Sequence, residues 1–484
     1  MSHISYHKFA AKSPGELQLM LGIVEKYAKR WRFCINPKKT KVLCFMETTQ
    51  QAQQRKERFG ESWICGGQEI AIAQSYVYLG VTVTDDLDFT THISQLKHKL
   101  DTQKREAILL GAKSGVLSVQ RAVRLWQQYV EPKFAYACAI WVRPNDTKAL
   151  QLINNIQSEG AKIILGISDH NEATTIPAPC ALLREAGLQP AHVLHSVGLL
   201  RFWRLVLSRE PESLLRQTWN AVQSQGTYAD PNSVNKALQR VVRSLPHVID
   251  RHNLPPPDNK LRWKKEVINP AAHAETTAWT REHIRKWGRV AEYSYIATEL
   301  SQDRPAYRQF PTYLTTPGLK KSERRNIALF RIHATQYVAT HAGFRDTQLY
   351  GTRKNFHRRY CIWSACTARP VVDNAEHVLL HCPLHRAARE RLFNRVRAIL
   401  LTVGLTMDFI PTDAQRVRFL LGSPPEITRS ALAESPTAYR DVLRASAAFL
   451  REVYDARWIR GHKHNQRKEG NTDDDAGGGH AAGS

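Results

Sequence analysis

The first apolar positions with a clear period are Leu17, Leu21, Val24, Ala28 and Trp31, which recur at helical spacing. Ser13-Pro-Gly-Glu16 stands before them as a capping box with proline at the first helical position, so a helix starts there and ends near Phe33. Asn36-Pro37 is a turn signal, and Lys41 to Met46 reads as a strand. Gln51 to Glu61 is polar without a period and reads as a loop. Glu69 to Ala73 and Tyr76 to Val83 alternate like two strands joined by a short turn. From Thr90 the period turns helical. Ile93, Leu96, Leu100 and Ala107 mark one helix, and Val119, Val123, Trp126 and Val130 a second, interrupted at Pro132. Leu150, Ile153, Ile156 and Ile164 mark a third, and Pro190 opens a fourth that carries Val193, Val197 and Leu200.

Residues 208–260 are poorer in apolar pattern, and Leu254-Pro-Pro-Pro-Asp258 is a stiff exposed connector. Helical patterns return at 262–301 and 322–342, and again after a cysteine/histidine cluster at 361–382. From Asn471 the Asp- and Gly-rich chain reads as disordered. The predicted fold is mainly α, with a small β-hairpin part near 41–83, a helical bundle, and a helical C-terminal region around the cluster.

Composition narrows the function classes. The 484 residues leave room for roughly three domains. With 42% hydrophobic residues the chain can bury real cores. A net charge of +25 attracts polyanions, and phosphate backbones are the commonest such partner. No stretch has the roughly 18 apolar residues of a membrane span, and the N-terminus lacks a signal-peptide pattern, so no membrane partner is expected. Of eight cysteines, five are scattered and three clustered. That is no disulfide framework and fits a reducing compartment, nucleus or cytoplasm rather than the secretory route.

Cys361-x4-Cys366-x10-His377-x4-Cys382 offers three thiolates and one imidazole, a set that suits tetrahedral structural Zn2+. The His-x4-Cys half has zinc-knuckle spacing, whereas the Cys-x4-Cys half is wider than usual. His381 and His385 are rival ligands, and a helical segment with buried thiols also fits these residues. Basic and aromatic residues interleave at Arg262-Trp263-Lys264-Lys265, at Arg285-Lys286-Trp287 and at Arg353-Lys354-Asn-Phe-His-Arg358-Arg359-Tyr360. Such mixtures suit phosphate neutralisation with base stacking, although each is also what a solvated helix face carries.

The order of the elements resembles reverse transcriptases of LINE-like (non-LTR) retrotransposons. Ile35-Asn-Pro-Lys-Lys-Thr-Lys-Val-Leu-Cys-Phe45, then Tyr78-Leu-Gly-Val81, then Asp88-Phe-Thr-Thr-His-Ile93 is similar to the end of that family's palm. Tyr129 to Trp141, Leu150 to Gly166 with Leu182-Leu-Arg-Glu-Ala-Gly-Leu-Gln-Pro190, and Leu329-Phe-Arg-Ile-His333 resemble its thumb and the arginine-bearing helix before its terminal cysteines.

The resemblance implies a primer-grip turn at Tyr78, Leu79, Gly80 and Val81, and active-site-proximal lysines at Lys38, Lys39 and Lys41. It also implies a Cys-Cys-His-Cys knuckle. The implied domains are palm end and primer grip at 1–90, thumb at 91–207, helical connector at 208–345, knuckle region at 346–465 and a disordered tail at 466–484.

The family's metal-binding Asp-Asp hairpin lies before the helix that starts here near Ser13, and residues 1–12 contain no aspartate. Asp85-Asp86 follows Tyr78-Leu-Gly-Val81 and so comes too late in the order, and Tyr228-Ala-Asp-Pro231 has proline at the second position. The expectation is a truncated polymerase fragment that binds element RNA and target DNA, takes no Mg2+ and does not polymerise. A further partner would be the missing polymerase half. Two other readings are part of an intact RNA-directed DNA polymerase and a host-adopted nucleic-acid or protein-binding protein.

Overall fold

The computed structural model describes residues 9–32, 35–36, 39–45, 48–59, 62–112, 117–143, 146–167, 178–224, 234–245, 248–250, 253–286, 293, 297, 310–332, 361, 366, 371 and 374–474. The chain divides into two compact units, Met1–Lys99 and Leu100–Ser484. The fold is mainly helical, with two small antiparallel hairpins. No helix among the described residues is long and apolar enough to cross a membrane.

In the first unit, α1 (Pro14–Arg30) starts as the capping box requires, with the Ser13 hydroxyl accepting from the Glu16 backbone N–H. Its Leu21 joins Val42, Trp63, Cys65 and Ile70 in a small core. Gln18 Nε2 donates to the Ile64 carbonyl at 3.0 Å and pins the helix to the first hairpin. That hairpin pairs β1 (Ser62–Cys65) with β2 (Gln68–Ala71) across Gly66-Gly67, both at positive φ. A second pairs β3 (Ser75–Tyr78) with β4 (Val81–Thr84) across Leu79 and Gly80, at φ 45° and 87°. Two positive φ values in a two-residue turn are what a type I′ hairpin needs. A Cβ at Gly80 would meet nothing within 4 Å, so the position calls for glycine through its backbone angle.

Three local readings change. Residues 76–83 form a hairpin where alternation suggested one strand, because side chains alternate straight through a two-residue turn. Of the strand read at Lys41 to Met46, the described residues, 41–45, contribute a parallel bridge from Val42 to Ile72. Gln51 to Glu61 falls mostly in α2 (Thr49–Phe59). This helix has no apolar period, but it is rich in Gln, Lys, Arg and Glu and opens on a reciprocal Thr48–Gln51 cap.

α1 also carries an apolar stripe that the first unit leaves uncovered. Leu19, Ile23, Tyr27 and Trp31 recur every fourth residue along one side and are all more than half exposed, Trp31 included, although the period assigned it to the buried face.

α3 (Thr90–Ala107) begins in the first unit and ends in the second. The second unit continues with α4 (Val119–Tyr129), α5 (Glu131–Ala135), α6 (Cys138–Trp141), α7 (Thr147–Leu165), α8 (Pro179–Ala186) and α9 (Ala191–Leu207). Pro132 is accepted because it sits in the first turn of α5. The Trp126 indole donates to Gln157 Oε1 at 2.7 Å, and Gln157 donates on to Glu131 and to the Gln189 carbonyl. Gly160 lies under that indole, and a Cβ there would overlap the ring.

α10 (Leu214–Ser224), α11 (Val234–Ser244), α12 (Lys260–Trp263) and α13 (Asn269–Lys286) follow, with a π-helical turn at Lys264–Ile268 before α13. Trp203, Leu238, Val242, Trp263 and Ala271 build their common core with α9. Along the α9–α13 seam the Ser196 hydroxyl donates to Glu275 Oε1 at 2.8 Å. Burial pushes the Glu275 carboxyl up to about 7.

A fully buried contact joins four separate stretches of the chain. Glu185 on α8 pairs with Arg331 at the end of α15 (Lys321–Arg331), Oε1 to Nε 2.7 Å, with both side chains fully buried. Tyr313 on α14 (Thr312–Thr315) and Tyr293 each donate a hydroxyl to Glu185. Arg331 Nη1 also donates to the Leu421 carbonyl and to Ser423 Oγ. Burial, then the Glu185 charge, raises both tyrosine hydroxyls well above their ordinary pKa.

The C-terminal helices are α16 (Arg386–Leu401), α17 (Asp413–Leu420), α18 (Glu426–Glu434) and α19 (Pro436–Asp474). α19 buries Val442, Leu443, Phe449, Leu450 and Val453 in its first half. It runs to Asp474, into the tail read as disordered from 466. Extending a helix already anchored by packing needs no new nucleus, so weak polar sequence can continue it.

Two stability measurements follow. Arg331→Met should cost about 3–5 kcal/mol in urea unfolding, because it strands the buried Glu185 charge. A loss below 1 kcal/mol would remove the pair's role. Glu275→Gln tests the seam. A carboxyl whose folded pKa is raised stays neutral in the fold and loses stability as pH climbs from its unfolded value through about 7. The variant should match wild type at pH 4.5 and exceed it at pH 8 by about 2 kcal/mol. An equal difference at both pH values would refute the assignment.

Candidate metal centre and nucleic-acid surface

The cysteine/histidine segment is organised by one π-helical turn, His377–His381. Asn374 Oδ1 accepts from the His377 N–H at its start. The Cys382 N–H donates to the His377 carbonyl at 2.6 Å, a bond from residue i+5 to residue i. Such a turn places residues five apart side by side, which α-helical spacing does not, and single π turns are frequent at functional sites. The His-x4-Cys spacing is thereby turned into a pair of adjacent ligand groups. Pro383–His385 then makes a 3-10 turn that feeds α16, and Arg389 Nη1 on α16 donates to the Cys382 carbonyl at 3.0 Å.

Cys361, Cys366, His377 and Cys382 come together, all buried, with their ligand atoms within 4.8 Å of one another. Cys366 Sγ lies 3.6 Å from His377 Nε2 and 4.0 Å from Cys382 Sγ. Zinc bonds of about 2.0–2.3 Å in a tetrahedron put ligand atoms roughly 3.3–3.8 Å apart, so these two separations are close to what a metal needs, and the remaining pairs lie within 4.8 Å. The wide Cys361-x4-Cys366 spacing brings both thiols to the cluster. His381 and His385 stand outside it. His381 is half exposed and bonded to Asp413, and His385 packs edge-on to Phe449. The cluster could therefore hold a metal ion, through three sulfurs and His377 Nε2.

Among the other described cysteines, Cys65, Cys138 and Cys180 are buried and Cys44 is half-buried. Burial pushes the Cys138 and Cys180 thiols up to about 11, which makes them poor nucleophiles at neutral pH.

In the first unit, the Tyr76 hydroxyl on β3 donates to the Lys39 carbonyl at 3.4 Å, so the lysine segment lies against the Tyr78–Val81 hairpin. Lys39, Lys41, Leu79 and Gly80 are exposed, Tyr78 is at the edge of exposure and Val81 is buried. Lys38 lies outside the described residues. Asp85 and Asp86 cap the turn after β4: Asp85 Oδ1 accepts from Asp86 N–H and Asp86 Oδ1 from Asp88 N–H. Tyr228-Ala-Asp-Pro231 is also outside the described residues.

The basic clusters fare differently. Lys264 and Lys265 are exposed, and Arg262 is exposed but bonded to Glu266 one turn on. Trp263 is fully buried, edge-on to Trp203 at 5.7 Å, so its ring is a core group and has no face for a base. Arg285 and Lys286 end α13, with side chains that are not described. Trp287, Arg353, Lys354, Arg358 and Arg359 lie outside the described residues.

Over 153 residues the chain is 25% identical to the probable RNA-directed DNA polymerase from transposon X-element of Drosophila melanogaster. The match covers 31% of this chain and 16% of that protein, so the chain spans about a sixth of the curated relative it matches. The similarity supports an origin related to transposon reverse transcriptases. No family model and no solved structure matches the chain.

Two contacts had no warning in the sequence pattern. Glu185 and Arg331 sit in two of the blocks that resemble the LINE-like family, but 146 positions apart nothing announced a pair. Asp413, which reaches His381, is a helix-capping neighbour in any local reading.

Metal analysis of purified protein tests the cluster. Wild type should carry about one zinc per chain and Cys366→Ser well under half of that, with a lower melting temperature after chelation of wild type. Equal zinc in both proteins would exclude the cluster as its holder.

Proposed function

We propose that this chain is a nucleic-acid-binding part of a LINE-like retrotransposon reverse transcriptase, and that the 484 residues by themselves do not polymerise. The observation that carries the reading is the buried Cys361/Cys366/His377/Cys382 cluster, at the C-terminal side of two hairpins and a helical array, in a chain similar to a transposon polymerase. In this reading residues 1–90 are the end of a palm, 91–207 a thumb, 208–345 a connector and 346–465 a knuckle region.

Zn2+ held by the four ligands would fill a closed site, so it would serve folding and would not activate water. The Tyr78–Val81 turn, exposed at its tip beside Lys39 and Lys41, would touch a primer or template backbone. Affinity would come from phosphate contacts spread over the +25 net charge. Lys264 and Lys265 belong to that surface, while Trp263 supports it from the core. Base stacking then falls to other aromatic residues. The uncovered α1 stripe of Leu19, Ile23, Tyr27 and Trp31 supports association of the first unit with another polypeptide, such as the remainder of a polymerase.

Binding of a structured RNA and of a single-stranded DNA should weaken at least tenfold from 50 to 200 mM salt. Affinity that hardly changes over that range would remove the electrostatic basis. Lys264→Glu with Lys265→Glu should weaken binding at least threefold with the fold intact. A primer-extension assay on the chain should give no product, and templated extension would overturn the non-polymerising assignment.

A further inference from the structure

The π turn that builds the buried cluster carries a second pair of ligand groups on its outer side. Just as it sets His377 beside Cys382, it sets Glu376 beside His381, again five residues apart. Asp413, the first residue of α17, closes on the same point, with Oδ2 2.9 Å from His381 Nε2. One ligand atom each from Glu376, His381 and Asp413 lies within 4.8 Å of the other two. Glu376 and Asp413 are half-buried and His381 is exposed. The three groups come from two elements held by separate caps: Asn374 holds the π turn, and a Thr412–Gln415 capping box holds α17.

We propose that Glu376, His381 and Asp413 form a second divalent-cation site, distinct from the buried thiolate cluster. One imidazole nitrogen and two carboxylate oxygens are a harder donor set than three thiolates, so the site takes a hydrated first-row cation of the Mn2+ or Zn2+ kind. Three protein ligands at an exposed position leave the remaining coordination positions to water. Arg416 Nη1 lies 3.2 Å from Asp413 Oδ1 and opposes the cation by its charge, which holds the affinity down. Because both ligand pairs ride on one turn, the outer site depends on the inner cluster keeping that turn wound.

The probe is Mn2+, which thiolate clusters disfavour, followed by its paramagnetic resonance signal during titration into full-length protein loaded with one equivalent of zinc. Wild type should take up one Mn2+ per chain. Asp413→Ala, whose helix keeps its Thr412 cap, should bind at least tenfold more weakly with unchanged zinc content. His381→Ala should do the same, and Arg416→Gln should bind several-fold more tightly than wild type. Mn2+ uptake by Asp413→Ala equal to wild type would mean adventitious binding elsewhere and would overturn the site, as would no uptake by wild type. Weaker binding by Arg416→Gln would also count against it.

Discussion

The second unit is organised around one buried charge pair, Glu185 with Arg331. Neither group can be left alone in a protein interior, and the structure leaves neither alone. Two tyrosine hydroxyls complete the carboxylate, while a carbonyl and a serine hydroxyl take up the guanidinium. The partners come from several separate stretches of chain. Satisfying one arginine therefore fixes α8, α14, α15 and the segment after α17 relative to one another. The planar guanidinium suits this role because its donors point in several fixed directions at once. The Arg331 group also lies 5.4 Å from the centre of the Tyr313 ring.

The cysteine/histidine cluster depends on a different constraint, which is local. A π turn of five residues brings His377 and Cys382 together, and a 3-10 turn after it leads directly into α16. Arg389 reaches back from α16 to the Cys382 carbonyl, so helix and ligand loop stabilise each other. The outer face of that turn inherits the same spacing, and this is why Glu376 and His381 meet Asp413 there. A chain that met only the inner requirement with an α-helical turn would have neither arrangement.

In the first unit the hairpins are set by backbone angle. Gly66, Gly67 and Gly80 supply positive φ in turns too short to accept anything else easily. The small core under α1 uses one side of that helix and leaves the Leu19 to Trp31 stripe outside. An uncovered apolar stripe of that length is unusual on a self-sufficient surface.

The sequence by itself determined the helical class, the start of α1 at its capping box, and the helices marked by Leu100, Trp126 and Ile153, because apolar period and caps are local properties. It also held the four residues of the cysteine/histidine cluster that could hold a metal ion, since thiol and imidazole spacing is written along the chain. It read α2 as a loop, because that helix carries no apolar period, and it could not tell one strand from a hairpin at 76–83, where alternation runs unbroken through Leu79 and Gly80. Only the tertiary structure decided that Trp263 is a core residue, that His377 and neither His381 nor His385 joins the thiols, and that Glu185 meets Arg331. The choice of histidine rests on the π turn, while the other two depend on groups distant in sequence sharing a low-dielectric interior, where an unpaired charge or an unfilled space costs far more than at the surface.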